Sequence, residues 1–175
     1  MKKIKIIITI ITFILSFFVH FGYNIFPNFI TSIFFPVNES IFEHMKIIYT
    51  SVLLSSIIEY FMYKCKNIKI NNFILSIPIS VIISINLYLS IYLLIDKFIP
   101  HNLFISITLL LLVYIFNSFI SYKILNMKEI KYSKLIGIIL IILSYIIFLY
   151  FTYYPLDNYL FLDTTNNSFG VIYLK

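Results

Sequence analysis

The chain has 175 residues, of which 61% are hydrophobic and only 11% are charged. A soluble domain carries about 25% charged residues, so a chain this apolar lacks the polar surface to cover itself in water. The formal net charge of +6 comes from lysines clustered in short segments between apolar runs, which argues against nucleic-acid binding and for a membrane protein.

Five long apolar segments follow one another along the chain. Each is about as long as the roughly 20 residues that a helix needs to cross a bilayer, and none alternates as a strand would. Since backbone groups in lipid must be hydrogen-bonded within the segment, we predict an all-α fold, a single integral membrane bundle of five transmembrane helices. The helices are expected at about residues 4–23, 38–63, 72–95, 102–125 and 132–154, followed by a tail at 156–175.

The lysines indicate the orientation of this bundle. Ten of the thirteen lie in the N-terminal segment and in the connections after the second and fourth helices, which share one side if the chain crosses five times. Lysine-rich loops stay in the cytoplasm, so the N-terminus is predicted inside and the C-terminus outside a cell membrane. The first segment follows Lys2, Lys3 and Lys5 without a small-residue cleavage site, which indicates a retained signal anchor.

The outer side of the predicted bundle collects the residues that could carry chemistry. All three histidines and five of the seven acids map there. Histidine acts as an acid, a base or a metal ligand near neutral pH, so these side chains could build a site at one membrane depth. They are His20, His44, His101, Glu39, Glu43, Asp96, Asp157 and Asp163.

The densest group of these residues lies in the nonapeptide at positions 36–44, Pro-Val-Asn-Glu-Ser-Ile-Phe-Glu-His. If a helix begins near Asn38, the polar side chains at 39, 40, 43 and 44 share one arc of roughly 140°. The competing interpretation is structural, because Ser40-x-x-Glu43 is a capping box and Asn38 is also a good N-cap. Capping explains one or two of the polar residues, and it does not call for a histidine and two glutamates on one arc.

The nonapeptide resembles the Pro-Val-Asn-Glu-Ser-x-aromatic-Glu-His signature of a family of small, uncharacterised bacterial multi-pass membrane proteins, with Phe42 where that family has Trp. Residues 161–163 and 169–170 are similar to the ending of that family, an apolar-x-Asp motif followed by a glycine. His20 and His101 also fall where the family carries polar residues. The resemblance implies the membrane topology and an outer face that carries the polar motif residues. It implies no known activity.

A second similarity is much shorter. Ser40-x-x-x-His44 is similar to the Ser-x-x-x-His of the seven-helix membrane hydrolases that include alkaline ceramidases and adiponectin receptors, which hold zinc with histidines. This chain has two predicted helices fewer and lacks their later His-x-x-x-His pair. The pattern leaves the function open.

Two hypotheses for the function follow. The first is a membrane-embedded hydrolase in which His20, His44 and His101 bind zinc, since catalytic zinc takes three protein ligands and a water. The candidate catalytic groups, with a lipid or amphiphile as the expected substrate, are Glu39, Ser40, Glu43 and Asp163. The alternative is a small transporter, or a non-enzymatic subunit that binds a partner through its outer loops.

Polar residues inside the predicted helices are open to two interpretations. Glu59, Asn86 and Asn117 could line a transport pathway, or they could hold neighbouring helices together. Glu59 lies five residues before Lys64 and is expected to reach the inner interface or to pair there.

The tail is predicted to fold back onto the outer mouth of the bundle. Residues 159–162 and 171–174 are too apolar for a disordered tail. Residues 164–168 form a polar turn signal, and Gly170 is free to take a positive φ. Folding back would carry Asp163 toward His20 and His44.

Overall fold

The fold is built from helices that follow the long apolar segments. The computed structural model describes residues 1–99 and 102–171, and this part of the chain is helical apart from its connections and one short hairpin. The helices are α1 (Lys2–Ile25), α2 (Phe29–Phe34), α3 (Ile41–Cys65), α4 (Phe73–Asp96), α5 (Leu103–Leu125) and α6 (Ser133–Tyr153). The hairpin pairs β1 (Leu162–Asp163) with β2 (Ser168–Phe169) in antiparallel register.

Five of the described helices, all but α2, are long and apolar enough to cross a membrane. This confirms the predicted all-α fold and the prediction of five helices that are long and apolar enough to cross a membrane. Large apolar side chains stay exposed on α1, α5 and α6, among them Phe18, Leu112 and Ile146. An apolar surface of this extent suits a lipid environment.

Two local features differ from the sequence prediction. α3 begins at Ile41 and not near residue 38, because Ser40 has an extended backbone and caps the helix; its Oγ accepts a hydrogen bond from the Glu43 amide at 3.3 Å. The loop before α3 contains α2, which the sequence analysis missed. Its first turn is closed by reciprocal hydrogen bonds between Asn28 and Thr31.

The most deeply buried of the long helices is α3. It packs against α1 and α4, and its first turn also reaches α6, where the rings of Phe42 and Phe148 lie 5.8 Å apart. The bundle has two chemically different ends. At the end called here the histidine end, α1 finishes and α3 begins, which brings His20 beside His44. At the opposite end, the lysine end, α3 finishes and α4 begins.

The tail packs against the histidine end, as the sequence predicts. The ring of Phe161 stacks on Phe42 with centroids 4.6 Å apart, and the Asn38 amide donates a hydrogen bond to the Gly170 carbonyl at 2.9 Å. Gly170 has φ +65°, and a Cβ there would lie 2.8 Å from the Thr152 carbonyl oxygen. Residues 172–174, which were predicted to continue this packing, lie outside the described residues.

Candidate metal centre

Two imidazoles and one carboxylate converge at the histidine end. His20 comes from α1, His44 from the first turn of α3, and Glu39 from the loop just before that helix. One donor atom from each side chain lies within 4.8 Å of the other two. Oε1 of Glu39 is 3.6 Å from Nε2 of His20, and Oε2 is 3.5 Å from Nε2 of His44.

These separations are longer than a hydrogen bond and close to those of metal ligands. An N–H···O hydrogen bond spans about 2.7–3.2 Å. Two ligands that each sit about 2.0–2.1 Å from a tetrahedral zinc are roughly 3.3–3.4 Å apart. Two histidines and a glutamate are also one of the donor sets that catalytic zinc uses. The side chains of His20, Glu39 and His44 therefore form a donor set that could hold a metal ion.

The residue that caps α3 also orients His44. Nδ1 of His44 lies 2.8 Å from the Ser40 carbonyl oxygen, which can only accept, so Nδ1 donates to the backbone and Nε2 is turned toward Glu39. The Ser40 hydroxyl is occupied as the cap of α3. The structure gives Ser40, which the sequence analysis considered as a catalytic group, a capping and orienting position.

Asp163 holds the backbone of Glu39. Its Oδ2 accepts a hydrogen bond from the Glu39 amide at 3.3 Å, and its Oδ1 accepts from the Thr165 amide at 2.9 Å. Burial raises the pKa of Asp163, but hydrogen bonds from Thr165, Glu39 and Asn166 outweigh it and hold the pKa below the ordinary value. The tail thus brings Asp163 to the site, as predicted. Among the described residues, the convergent donor set consists of His20, Glu39 and His44 and does not include Asp163.

Glu43 lies in a buried ion pair. Its Oε2 accepts from Lys46 Nζ at 2.7 Å and from the Val37 amide at 3.0 Å, while Oε1 accepts from the Thr152 hydroxyl at 2.7 Å. Lys46 also donates to the Ser32 carbonyl oxygen at 2.8 Å. Both carboxylate oxygens of Glu43 are occupied by contacts with α3, α6 and the loop before α3, and Lys46 extends the cluster to α2. The arc that was expected to unite it with Glu39 does not form, because Glu39 precedes the helix.

The third predicted histidine ligand, His101, lies outside the described residues. Among the described residues, the third member of the candidate donor set is Glu39, which the sequence analysis took for a catalytic group.

Two adjoining cavities meet at the imidazoles. The first, called the polar pocket, has a volume of about 160 Å³ and is lined by Glu39, the tail residues Tyr159 and Thr165, and both histidines. The second, called the apolar groove, has a volume of about 270 Å³ and lies between α1 and α5. Side chains that line both cavities are His20, His44, Tyr88, Leu103 and Ser106.

A separate polar cluster lies nearer the lysine end. Glu59 pairs with Lys5 of α1 and not with the neighbouring Lys64, and Lys5 Nζ also donates to Ser121 Oγ at 2.7 Å. Beside this pair is a cavity of about 20 Å³, and Asn117 is one of the residues that line it. The Oδ1 atom of Asn117 is buried and has no hydrogen-bond partner among the described residues. Asn86 is exposed and bonds to its own helix, so it does not line this cluster.

The comparisons with known proteins give one match. No curated protein and no solved structure matches the chain. One family profile matches residues 1–171, which is nearly the whole sequence. The chain therefore belongs to DUF6512, a family of unknown function.

Proposed function

We propose that this protein is a membrane-embedded, zinc-dependent hydrolase that acts on a lipid or amphiphile. The observation that carries the proposal is the position of the Glu39 carboxylate, whose two oxygens lie 3.6 and 3.5 Å from the two imidazoles without bonding to either as a hydrogen-bond acceptor. His20, Glu39 and His44 would hold the ion, and the polar pocket that they line would admit water and substrate.

Zinc held by His20, Glu39 and His44 would lower the pKa of a bound water to about 7 and would polarise the bond under attack. In the hydrolysis, the water oxygen bonds to the electrophilic atom of the substrate, the bond to the leaving group breaks, and the leaving group receives the proton. Tyr88 lines both cavities, and its hydroxyl would be the candidate donor to the oxygen that gains negative charge. Ser106 also lines both cavities, but its hydroxyl donates to the Asn102 carbonyl oxygen at 3.2 Å. Glu39 supplies one negative charge that partly neutralises the ion.

The proposed orientation places this chemistry outside the cell. Lysine-rich connections mark the cytoplasmic side, so the lysine end faces the cytoplasm of a bacterial cell and the histidine end faces outward. An amphiphile in the outer leaflet then has its polar–apolar boundary at the depth of His20 and His44.

A direct test is a hydrolysis screen with purified protein in nanodiscs. Chromogenic single-chain esters, amides and phosphodiesters are offered to zinc-loaded protein, to protein stripped with a chelator, and to Glu39→Gln. Turnover that needs zinc and is lost in Glu39→Gln supports the proposal, while Glu129→Gln, an exposed residue at the lysine end, is the matched control and keeps full activity. Zinc-loaded protein that hydrolyses none of the three bond classes contradicts it.

A small transporter is the second candidate, and the cluster at the lysine end favours it. Lys5, Glu59 and Asn117 are buried inside helices that can cross a membrane, where ionisable groups are costly and usually functional. Zinc uptake by vesicles that carry the protein, lost in Glu59→Gln and unaccompanied by hydrolysis, would favour transport over the hydrolase.

A further inference from the structure

We propose that the apolar groove binds the hydrocarbon tail of a single-chain amphiphile, which enters sideways from the membrane between α1 and α5. This inference deepens the proposed function and rests on it only for the reaction that follows binding. It assigns the tail to the apolar groove and the head group to the polar pocket.

The two helices that border the groove are joined by side-chain hydrogen bonds at the lysine end. At the lysine end, Lys5 Nζ of α1 bonds to Ser121 Oγ of α5 at 2.7 Å, and the Ser118 hydroxyl donates to the Lys5 carbonyl oxygen at 3.3 Å. Toward the histidine end the same helices enclose the groove, which is walled by Phe17 and Phe21 on one side and by Ile107 and Leu110 on the other. The groove therefore lies toward the end of these helices where His20 and His44 converge.

The walls of the groove match hydrocarbon, and its end matches a polar group. Phe17 and Phe21 of α1 are about half exposed, and Leu103 of α5 is 69% exposed, so this opening faces the surroundings of the bundle. At hydrocarbon depth those surroundings are acyl chains. The far wall carries His20 and His44, which also line the polar pocket. A molecule that fills both cavities must therefore be apolar at one end and polar at the other.

The size of the cavities favours one tail. Their volumes are about 160 and 270 Å³, which together lie in the lower part of the roughly 300–1,000 Å³ range of ligand pockets. The groove runs as one channel between two neighbouring helices, with Ser16 and Ile47 behind it. A further apolar cavity of about 230 Å³ lies between α4 and α5, but it shares no lining residue with the polar pocket or the apolar groove. A second tail of the same molecule would therefore stay in the bilayer.

The test uses the absence of tryptophan from the chain, because one introduced tryptophan is then a unique fluorophore. Phe17→Trp reports on the groove, and Phe18→Trp, one residue further and 69% exposed, reports on bulk lipid at the same depth. Both variants are placed in nanodiscs with a small fraction of lysophosphatidylcholine brominated on its single chain. Tail binding predicts that half-maximal quenching of Phe17→Trp needs at least about tenfold less brominated lipid than that of Phe18→Trp.

Two further variants separate the outcomes. Ile107→Phe narrows the groove and should make the quenching of Phe17→Trp equal to that of Phe18→Trp, whereas Ile115→Phe, on the lipid face of α5, should leave the preference intact. Glu39→Gln, which does not line the groove, should keep the preference even though it loses zinc and hydrolysis. Equal quenching of the two reporters overturns the groove assignment, and an equal preference for a brominated two-chain phosphatidylcholine overturns the single-tail assignment. A preference that is present in zinc-loaded wild-type protein that shows no hydrolysis refutes the proposed reaction alone.

Discussion

Nδ1 of His44 lies 2.8 Å from the carbonyl oxygen of Ser40, the residue that caps α3. The start of the helix and the orientation of one proposed metal ligand are therefore set by the same residue. The contact uses the backbone of Ser40, while its hydroxyl bonds to the Glu43 amide. Capping and site formation compete as explanations of the sequence. In the structure Ser40 both caps α3 and contacts His44, so the two explanations do not exclude one another.

Replacing Ser40 by alanine separates the cap from the site. Ser40→Ala should lower the free energy of unfolding by about 0.5–2 kcal/mol, because one amide of the first turn loses its acceptor. Zinc affinity should stay within about twofold, since the carbonyl oxygen that holds His44 is unchanged. Thermal unfolding in detergent and zinc titration measure the two effects. A complete loss of hydrolysis in a folded, zinc-bound Ser40→Ala protein would instead assign the hydroxyl to catalysis.

Glu43 is expected to matter for stability and not for zinc. Glu43→Gln leaves Lys46 buried without its counter-charge, which typically costs about 3–5 kcal/mol. The double variant Glu43→Gln/Lys46→Met removes both charges and should recover part of that loss. Unfolding midpoints of the single and double variants give the comparison. If the stable double variant has lost its zinc, Glu43 belongs to the metal centre after all.

Asp163 should make the tail sensitive to acid. Its folded-state pKa is depressed by hydrogen bonds from Thr165, Glu39 and Asn166, so the charged form stabilises the folded chain. This stabilisation is fully present above the ordinary Asp pKa and is lost as the pH falls below about 4, through the folded-state pKa. The difference in unfolding midpoint between wild type and Asp163→Asn should be largest at neutral pH and shrink in acid. Asp157→Asn, at an exposed position of the tail, is the control and should show no such trend.

The single cysteine of the chain reports the orientation. Cys65 is exposed at the end of α3, on the lysine end. With the lysine end in the cytoplasm, a membrane-impermeant maleimide should label Cys65 in inside-out vesicles and leave it unlabelled in intact cells. Cys65→Ser/Asp157→Cys should show the opposite pattern. Labelling of Cys65 in intact cells would place the histidine end inside the cell. It would then contradict the proposal that the substrate comes from the outer leaflet.

The helices were predictable from the sequence because hydrocarbon imposes a simple rule. A run of about 20 apolar residues has to be a helix in lipid, whichever residues it contains. The short helix α2 was not predicted, because a helix of six residues carries no long periodic pattern. It depends instead on the Asn28–Thr31 cap and on Lys46, which donates a hydrogen bond to the Ser32 carbonyl oxygen.

The metal centre was only partly predictable. His20 and His44 stand out because histidines are rare in this chain, and the topology places both at one end. Glu39 and Glu43 look equivalent in the sequence, and only the late start of α3 separates them, with Glu43 turned into the bundle and Glu39 left in the loop beside the imidazoles. Ser106 and Tyr88 line both cavities, but nothing in their sequence neighbourhood distinguishes them from the many other hydroxyls of the helices.

The most direct test of the account is the zinc content of the protein purified without chelators, measured by elemental analysis together with the affinity for added zinc. The wild type should hold one zinc per chain. His20→Ala, His44→Ala and Glu39→Gln should each lose it while unfolding at nearly the wild-type temperature, and Glu129→Gln should retain it. The metal centre would be contradicted if the wild type bound no zinc. It would also be contradicted if all four variants bound zinc as well as the wild type does.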